Sequence, residues 1–170
     1  MRPALALPGW GELVLREGVE PGDVRAIREL VAATGLFSPA EVEIAAELAQ
    51  IAAREGEAGD YRFLVARAPH ALAAYTCYGH IDGTRSSFDL YWIAVDPKLQ
   101  GRGLGRRLLA ATEARVARAG GRRLYVDTSA RPDYAGTRAF YEGAGYRCEA
   151  TLADYYAPGD AKAIYVKELA

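Results

Sequence analysis

Gly101, Gly103 and Gly105 stand at alternate positions in the segment Asp96-Pro97-Lys98-Leu99-Gln100-Gly101-Arg102-Gly103-Leu104-Gly105-Arg106-Arg107. Residues without a Cβ leave the backbone uncovered, so consecutive N–H groups there can point at a single anion. The segment links an apolar, strand-like run, Phe88 to Val95, to a stretch of helical period that begins at Gly103. A helix start adds unpaired N–H groups and the positive end of its dipole. Arg102, Arg106 and Arg107 bring positive charge to the same turn, against the usual preference for acids in a first helical turn. Glycines that only shaped a tight turn would not call for those arginines, so the segment reads as a pyrophosphate site. Nucleotide hydrolysis is not indicated. The Gly-Lys-Ser/Thr of a P-loop is missing, and no acidic residue ends the next strand where a dinucleotide fold places one.

The rest of the chain supplies elements to position that turn. Glu12 to Arg16 alternates polar and apolar residues and reads as a strand. Pro21-Gly22-Asp23 starts a helix closed by Gly35, and Ser38-Pro39-Ala40-Glu41 is a capping box that opens a second helix running to about Arg54. Tyr61 to Arg67 and Ala71 to His80 form an expected hairpin, and Phe88 to Val95 adds a third strand, implying an antiparallel meander. Helical period runs from Gly103 to about Ala119 and again from Thr137 to Gly143, with a strand at Leu124 to Thr128 between them. Two more strands are expected around Tyr146 to Ala153 and Ala161 to Leu169.

A chain of 170 residues, 51% of them apolar, suits one domain with a substantial core. The formal charge of -1 provides no positive field of the kind nonspecific nucleic-acid binding needs. Cys77 and Cys148 lack metal-ligand or disulfide spacing, so no metal is expected and a reducing compartment fits. Pro3 and Pro8 interrupt the opening apolar stretch, which reads as a mature terminus. No run reaches the roughly 20 apolar residues of a membrane span, so a cytoplasmic protein without a membrane partner is expected.

Gln100-Gly101-Arg102-Gly103-Leu104-Gly105 resembles the Gln/Arg-x-x-Gly-x-Gly/Ala coenzyme A signature of the GNAT (Gcn5-related) N-acetyltransferase superfamily. Ile93-Ala94-Val95-Asp96-Pro97 is similar to the strand ending that precedes that signature. The element order follows the same fold. The resemblance implies a single α/β (α+β) domain over residues 1–170, with its core at 12–169. Its central sheet would be mixed, mostly antiparallel and splayed, with about seven strands flanked by about four helices. It further implies acetyl-CoA as co-substrate, held by backbone near Ile93, Ala94 and Val95 and by the turn from Gln100 through Gly101, Arg102, Gly103, Leu104 and Gly105 to Arg106. Acetyl transfer to a primary amine by direct attack in a ternary complex is the implied activity. A catalytically silent acyl-CoA sensor and an acyltransferase for longer chains are the alternatives.

Such a transfer needs an unprotonated amine and a proton for the departing thiolate. Tyr141 matches the family's general-acid tyrosine, and the match favours that role over the plainer one of a half-buried aromatic packing helix on sheet. Many members carry Asn seven residues earlier; here that position is Tyr134, so contacts to the distal half of the coenzyme are expected around Tyr134 and Thr137. Alternation puts Asp89, Tyr91, Ile93 and Val95 on one strand face. Asp89 matches the position of the glutamate base of histone acetyltransferases in the superfamily. Being one methylene shorter, it would act through a water, and its alternative reading is an ordinary surface carboxylate. Tyr91 joins it on the acceptor side. Asp127 and Asp154 are weaker base candidates, His80 reads as a solvated turn residue, and Cys77, Cys148 and Trp92 read as core.

Asp154-Tyr155-Tyr156-Ala157-Pro158-Gly159-Asp160 resembles the Tyr-Tyr loop that ribosomal-protein N-terminal acetyltransferases use near the incoming amine. Ring faces with flanking carboxylates suit a cation; a Pro-Gly turn covered by aromatics is the plainer reading. The acceptor is left open among small amines, amino acids and peptide N-termini. Exposed final strands would be compatible with a homodimer.

Overall fold

A computed structural model describes residues 5, 6, 9, 11 and 13–169. Pro3, Pro8 and Glu12, on which the readings of the terminus and of the first strand's start rest, lie outside the described residues. The chain gathers into two compact units, Met1–Gly79 with Trp92–Thr112, and His80–Tyr91 with Glu113–Ala170.

In the first unit four antiparallel strands run in the order β1 (Leu5–Ala6), β2 (Val14–Glu17), β3 (Arg62–Ala68) and β4 (Ala71–His80). The β3/β4 hairpin forms where expected, with Ala68 opposite Ala71. Helices α1 (Pro21–Thr34) and α2 (Pro39–Glu55) start at the expected signals. Ser38 and Glu41 cap each other reciprocally, Ser38 N donating to Glu41 Oε2 at 2.7 Å and Glu41 N to Ser38 Oγ at 3.3 Å. Ile27, Leu30 and Val31 of α1 and Val42, Ala45 and Ala49 of α2 form one core with Phe63, Val65, Tyr75, Cys77 and Ala94. Trp92 packs on this cluster with its ring 4.9 Å from that of Phe37, as a core residue should.

Asp23, 1% exposed, sits in the first turn of α1 and pairs with both Arg16 and Arg67, while accepting from Glu20 N at 2.9 Å. The three ionic side chains tie α1 to β2 and β3. Removing the shared carboxylate leaves Arg67 without its ion-pair partner and Arg16 with Glu20 alone, so Asp23→Ala is expected to lower unfolding free energy by about 3 kcal/mol. A urea titration reads this as a fall in midpoint at constant slope; a midpoint within error of wild type would show that the pairs add nothing.

In the second unit the strands run in the order β5 (Ser87–Val95, its last residues belonging to the first unit), β6 (Arg123–Ser129), β8 (Asp160–Glu168) and β7 (Arg147–Ala157). β5 and β6 are parallel and the other pairs antiparallel. Their register runs from Ser87↔Arg123 to Asp89↔Tyr125, so the two strands part after Asp89. Helix α3 (Leu104–Arg118) ends at Gly120-Gly121. A Cβ at Gly121 would fall 2.4 Å from Val116 Cγ1 and 2.8 Å from Phe88 Cδ2, which explains why the close return of the chain needs glycine there. Helix α4 (Ala135–Gly143) follows β6.

The described residues thus hold eight strands, the first of only two residues, and four α-helices, in a mixed and mostly antiparallel arrangement. Three details depart from the sequence reading. Tyr155 and Tyr156 lie inside β7 rather than in a loop, because the turn between β7 and β8 shrinks to Pro158-Gly159. Asp154, whose Oδ1 accepts from Gly159 N at 2.7 Å, takes the left-handed conformation at φ 53 and thereby serves as a turn residue. Cys148 is exposed, not core, because β7 is the outermost strand and is exposed along its whole length.

Candidate active site

The glycine turn belongs to the first unit and is stapled at both ends. Asp96 N donates to Ala73 O at 2.8 Å, and Asp96 Oδ1 accepts from Lys98 N at 2.9 Å, turning Pro97–Leu99 into a short 3-10 turn. Gln100 Nε2 donates to Val95 O at 3.1 Å, so this side chain secures the end of β5. Beyond the turn, Leu104 and Leu108 are buried with Leu13, Leu15, Leu64, Ala66, Ala73 and Ala74, and Val95 packs on the same cluster. Ala94 faces the opposite core, so the expected alternation along β5 holds at this end. Thr112 Oγ1, 2.8 Å from Thr76 Oγ1 and bonded to Leu108 O at 3.0 Å, fixes α3 one turn further on.

Gly101 and Gly103 are left-handed, at φ 73 and 87, and a Cβ built at either meets no atom within 4 Å. The backbone is therefore uncovered at both positions. Arg107 N donates to Gly103 O at 3.1 Å as the first bond of α3, so the amides of Leu104, Gly105 and Arg106 precede it and have no intrahelical acceptor. An open backbone, a helix start and the arginines 102, 106 and 107 fit a diphosphate in charge and in hydrogen-bond donors.

The remaining candidates belong to the second unit. Tyr134 N donates to Arg131 O at 3.1 Å, its ring lies 5.4 Å from the Arg131 guanidinium, and it precedes α4, whose first turn contains Thr137. Arg138 Nη1 donates to Ser129 O at 2.9 Å and Arg131 O at 2.8 Å, tying α4 to the end of β6. Tyr141, 4% exposed, is gripped by the rings of Phe140, Tyr146 and Tyr165 at 5.3, 5.5 and 6.2 Å. Two of those neighbours are themselves anchored. Tyr146 Oη donates to Glu113 Oε1 at 3.0 Å, and Tyr165 Oη to Glu142 Oε1 at 2.8 Å. Burial pushes the Tyr141 phenol well above its ordinary range, which keeps it a proton donor at neutral pH.

Asp89 is half-buried at the last registered pair of β5 and β6. Burial, reinforced by the charge of Asp127 and opposed by Lys162, raises its pKa above the ordinary carboxylate value. Asp127 forms an ion pair with Lys162, whose Nζ also stands 4.5 Å from the centroid of the Tyr155 ring. Tyr155 and Tyr156 meet edge to face at 5.0 Å, and both are exposed, as is Tyr91. Burial and then Asp127 raise the Tyr156 phenol. Asp127 and Lys162 thus act electrostatically on Asp89 on one side and on Tyr156 on the other. Lys162 is the member the sequence reading missed; its one signal is a lysine inside the otherwise apolar run of residues 161–166. His80 ends β4 exposed, its ring 5.3 Å from Phe88. Among the described residues no group of His, Cys, Asp and Glu could hold a metal ion, and no helix is long and apolar enough to cross a membrane.

The acetyltransferase (GNAT) domain profile matches residues 59–148, more than half of the chain and the whole of the glycine turn. The chain belongs to the GNAT acetyltransferase family. That family uses acetyl-CoA as its acyl donor, and its fold extends through solved structures. A Desulfovibrio desulfuricans protein assigned to the GNAT family is 43% identical, with 93% of this chain and 99% of that one covered and a TM-score of 0.90. The ribosomal-protein-S18-alanine N-acetyltransferase of Escherichia coli shares 22% identity over 93% of this chain and 94% of that one, with a TM-score of 0.73. The PaiA N-acetyltransferase of Thermoplasma acidophilum, solved with coenzyme A, shares 18% over 92% and 98%, with a TM-score of 0.71. A search of curated protein sequences finds no significant match.

Proposed function

We propose that this GNAT chain is a single cytoplasmic domain that transfers the acetyl group of acetyl-CoA to a primary amine by direct attack in a ternary complex. The observation that carries the reading is the uncovered, left-handed backbone at Gly101 and Gly103, at the start of a helix whose first turn and preceding loop carry Arg102, Arg106 and Arg107. Gln100 to Arg106 would hold the diphosphate, backbone of Ile93, Ala94 and Val95 the pantetheine arm, and Tyr134 and Thr137 the distal part of the coenzyme. Bound there, acetyl-CoA supplies an activated acetyl thioester.

Tyr141 Oη gives its proton to the departing thiolate sulfur. The Asp89 carboxylate takes a proton from the acceptor's ammonium through a water, leaving a neutral nitrogen to attack. Tyr91, Tyr155 and Tyr156 line the acceptor side. The free, exposed thiol of Cys148 suits a reducing compartment, and the exposed β7 edge supports a homodimer. Incubation with acetyl-CoA, a thiol-detecting reagent and a panel of amines tests the assignment. Thiol release that depends on an amine supports it, whereas acetyl-CoA binding without release would favour a sensor.

A base whose pKa is raised must be ionised to work, so turnover should fall as pH drops through a value above the ordinary carboxylate pKa of about 4. Asp89→Asn should remove that acidic limb and lower turnover by about 10²-fold, most severely below the acceptor's own pKa. An unchanged pH–rate profile would eliminate Asp89 as the base.

A further inference from the structure

The charges around Asp89 narrow the acceptor that the proposed transfer would use. Asp89 is registered with Tyr125; Asp127 lies two residues further along β6, opposite Ile164; and Lys162 lies two residues before Ile164. Cross-strand partners and residues two apart share a face, so all three project from one side of the second unit's sheet. Lys162 is paired with Asp127 and lies on the Tyr155 ring, with its side chain only 14% exposed. A carboxylate and an aromatic face, two features that would hold a cationic acceptor, therefore already hold a cation belonging to the chain itself.

The other acids nearby are committed as well. Asp160 accepts from Ser129 Oγ at 2.5 Å and faces Arg131 at 3.6 Å, while Asp154 accepts from Gly159 N. Asp127 and Asp160 are ion-paired and Asp154 holds a backbone amide, whereas Asp89 has no ion pair among the described residues. Burial works against the Lys162 ammonium, but the bond and charge of Asp127 outweigh it, so Lys162 remains charged at neutral pH. The trio Asp89, Asp127 and Lys162 sums to a single negative charge, enough for one ammonium.

We propose that the acceptor is a monocationic amine bearing a carbonyl or carboxylate beside its amino group, and that Lys162 is the specificity residue that admits it and turns away polycations. The acceptor's ammonium faces the Asp89 charge across the bridging water, and its oxygen can meet the resident ammonium of Lys162. A second positive centre on the acceptor would instead approach Lys162 in a partly desolvated site, where like charges repel more strongly than in water. Amino acids, amino-acid amides and peptide N-termini satisfy this rule; polyamines and aminoglycosides do not.

The inference rests on the acetyl-transfer reading, and one assay separates their failures. The full chain is given acetyl-CoA with alanine, alaninamide, a short alanine-led peptide, spermidine or kanamycin, and thiol release is followed. At least one of the first three should exceed both polycations by about ten-fold or more in kcat/KM, mostly through KM. Added salt should narrow the gap by screening the repulsion. Lys162→Met should shrink it by about ten-fold, and Lys162→Arg, which keeps the charge, should restore it. Comparable turnover of spermidine by the wild type, or a gap unmoved by both Lys162→Met and salt, overturns the charge rule while leaving acetyl transfer intact. Release with none of the five amines overturns both.

Discussion

Replacing Tyr141 with Phe is expected to lower kcat by about 10²- to 10³-fold, with the acetyl-CoA dissociation constant staying within about two-fold of wild type. The substitution removes one hydroxyl and leaves the ring packed among Phe140, Tyr146 and Tyr165, so the fold should survive. A hydroxyl that delivers its proton as the carbon–sulfur bond breaks contributes to the transition state and little to the ground state. The loss should therefore fall on kcat and kcat/KM together. Burial raises the phenol well above its ordinary pKa, so Tyr141 should impose no basic limb on the profile near neutrality. Steady-state kinetics beside calorimetry decide the matter: equal losses in turnover and in cofactor affinity would reduce Tyr141 to a packing residue.

Gly103→Val should act in the opposite manner, weakening acetyl-CoA binding by ten-fold or more, about 1.4 kcal/mol or above. At φ 87 a β-branched residue is strained, by roughly 1–2 kcal/mol or more. Its side chain would also stand where the free protein has open space. That open space means the core need not rearrange, so the damage should appear at the ligand and less in the folding of the domain. Calorimetric titration with acetyl-CoA is the direct measurement. Affinity equal to wild type would mean that the diphosphate is held elsewhere, and the assignment built on this turn would fail.

The signals that could be read from sequence were those whose cause is local. Ser38 and Glu41 cap each other three residues apart, so the start of α2 was visible, and the β4 bounds followed from the Pro69 turn and an unbroken β-rich run. The glycines and arginines of the turn lie within a few residues of one another and could be read together. What escaped depends on partners distant in the chain. The charge of Lys162 gains its meaning from Asp127 on another strand, brought opposite by the order β6-β8-β7, which does not follow the chain. Cys148 was assigned to the core because composition cannot tell an outermost strand from a covered one. Tyr155 and Tyr156 were assigned to a loop because Asp154 enters the left-handed region without glycine, so the sequence there carries no mark of how β7 bends.

That bend has a bearing on how copies of the protein can meet. A rim strand of eleven residues with one hydrogen-bonding side unmated is an open template for sheet extension. The register with β8 slips twice, between Cys148 and Ala150 and again between Leu152 and Ala157, so the ladder groups at both places are turned out of line. Any neighbour docking strand-to-strand would find the rim broken at Glu149 and again beyond Leu152, with regular ladder left only over short pieces between the slips. Fibril-like stacking along this rim is thus curtailed.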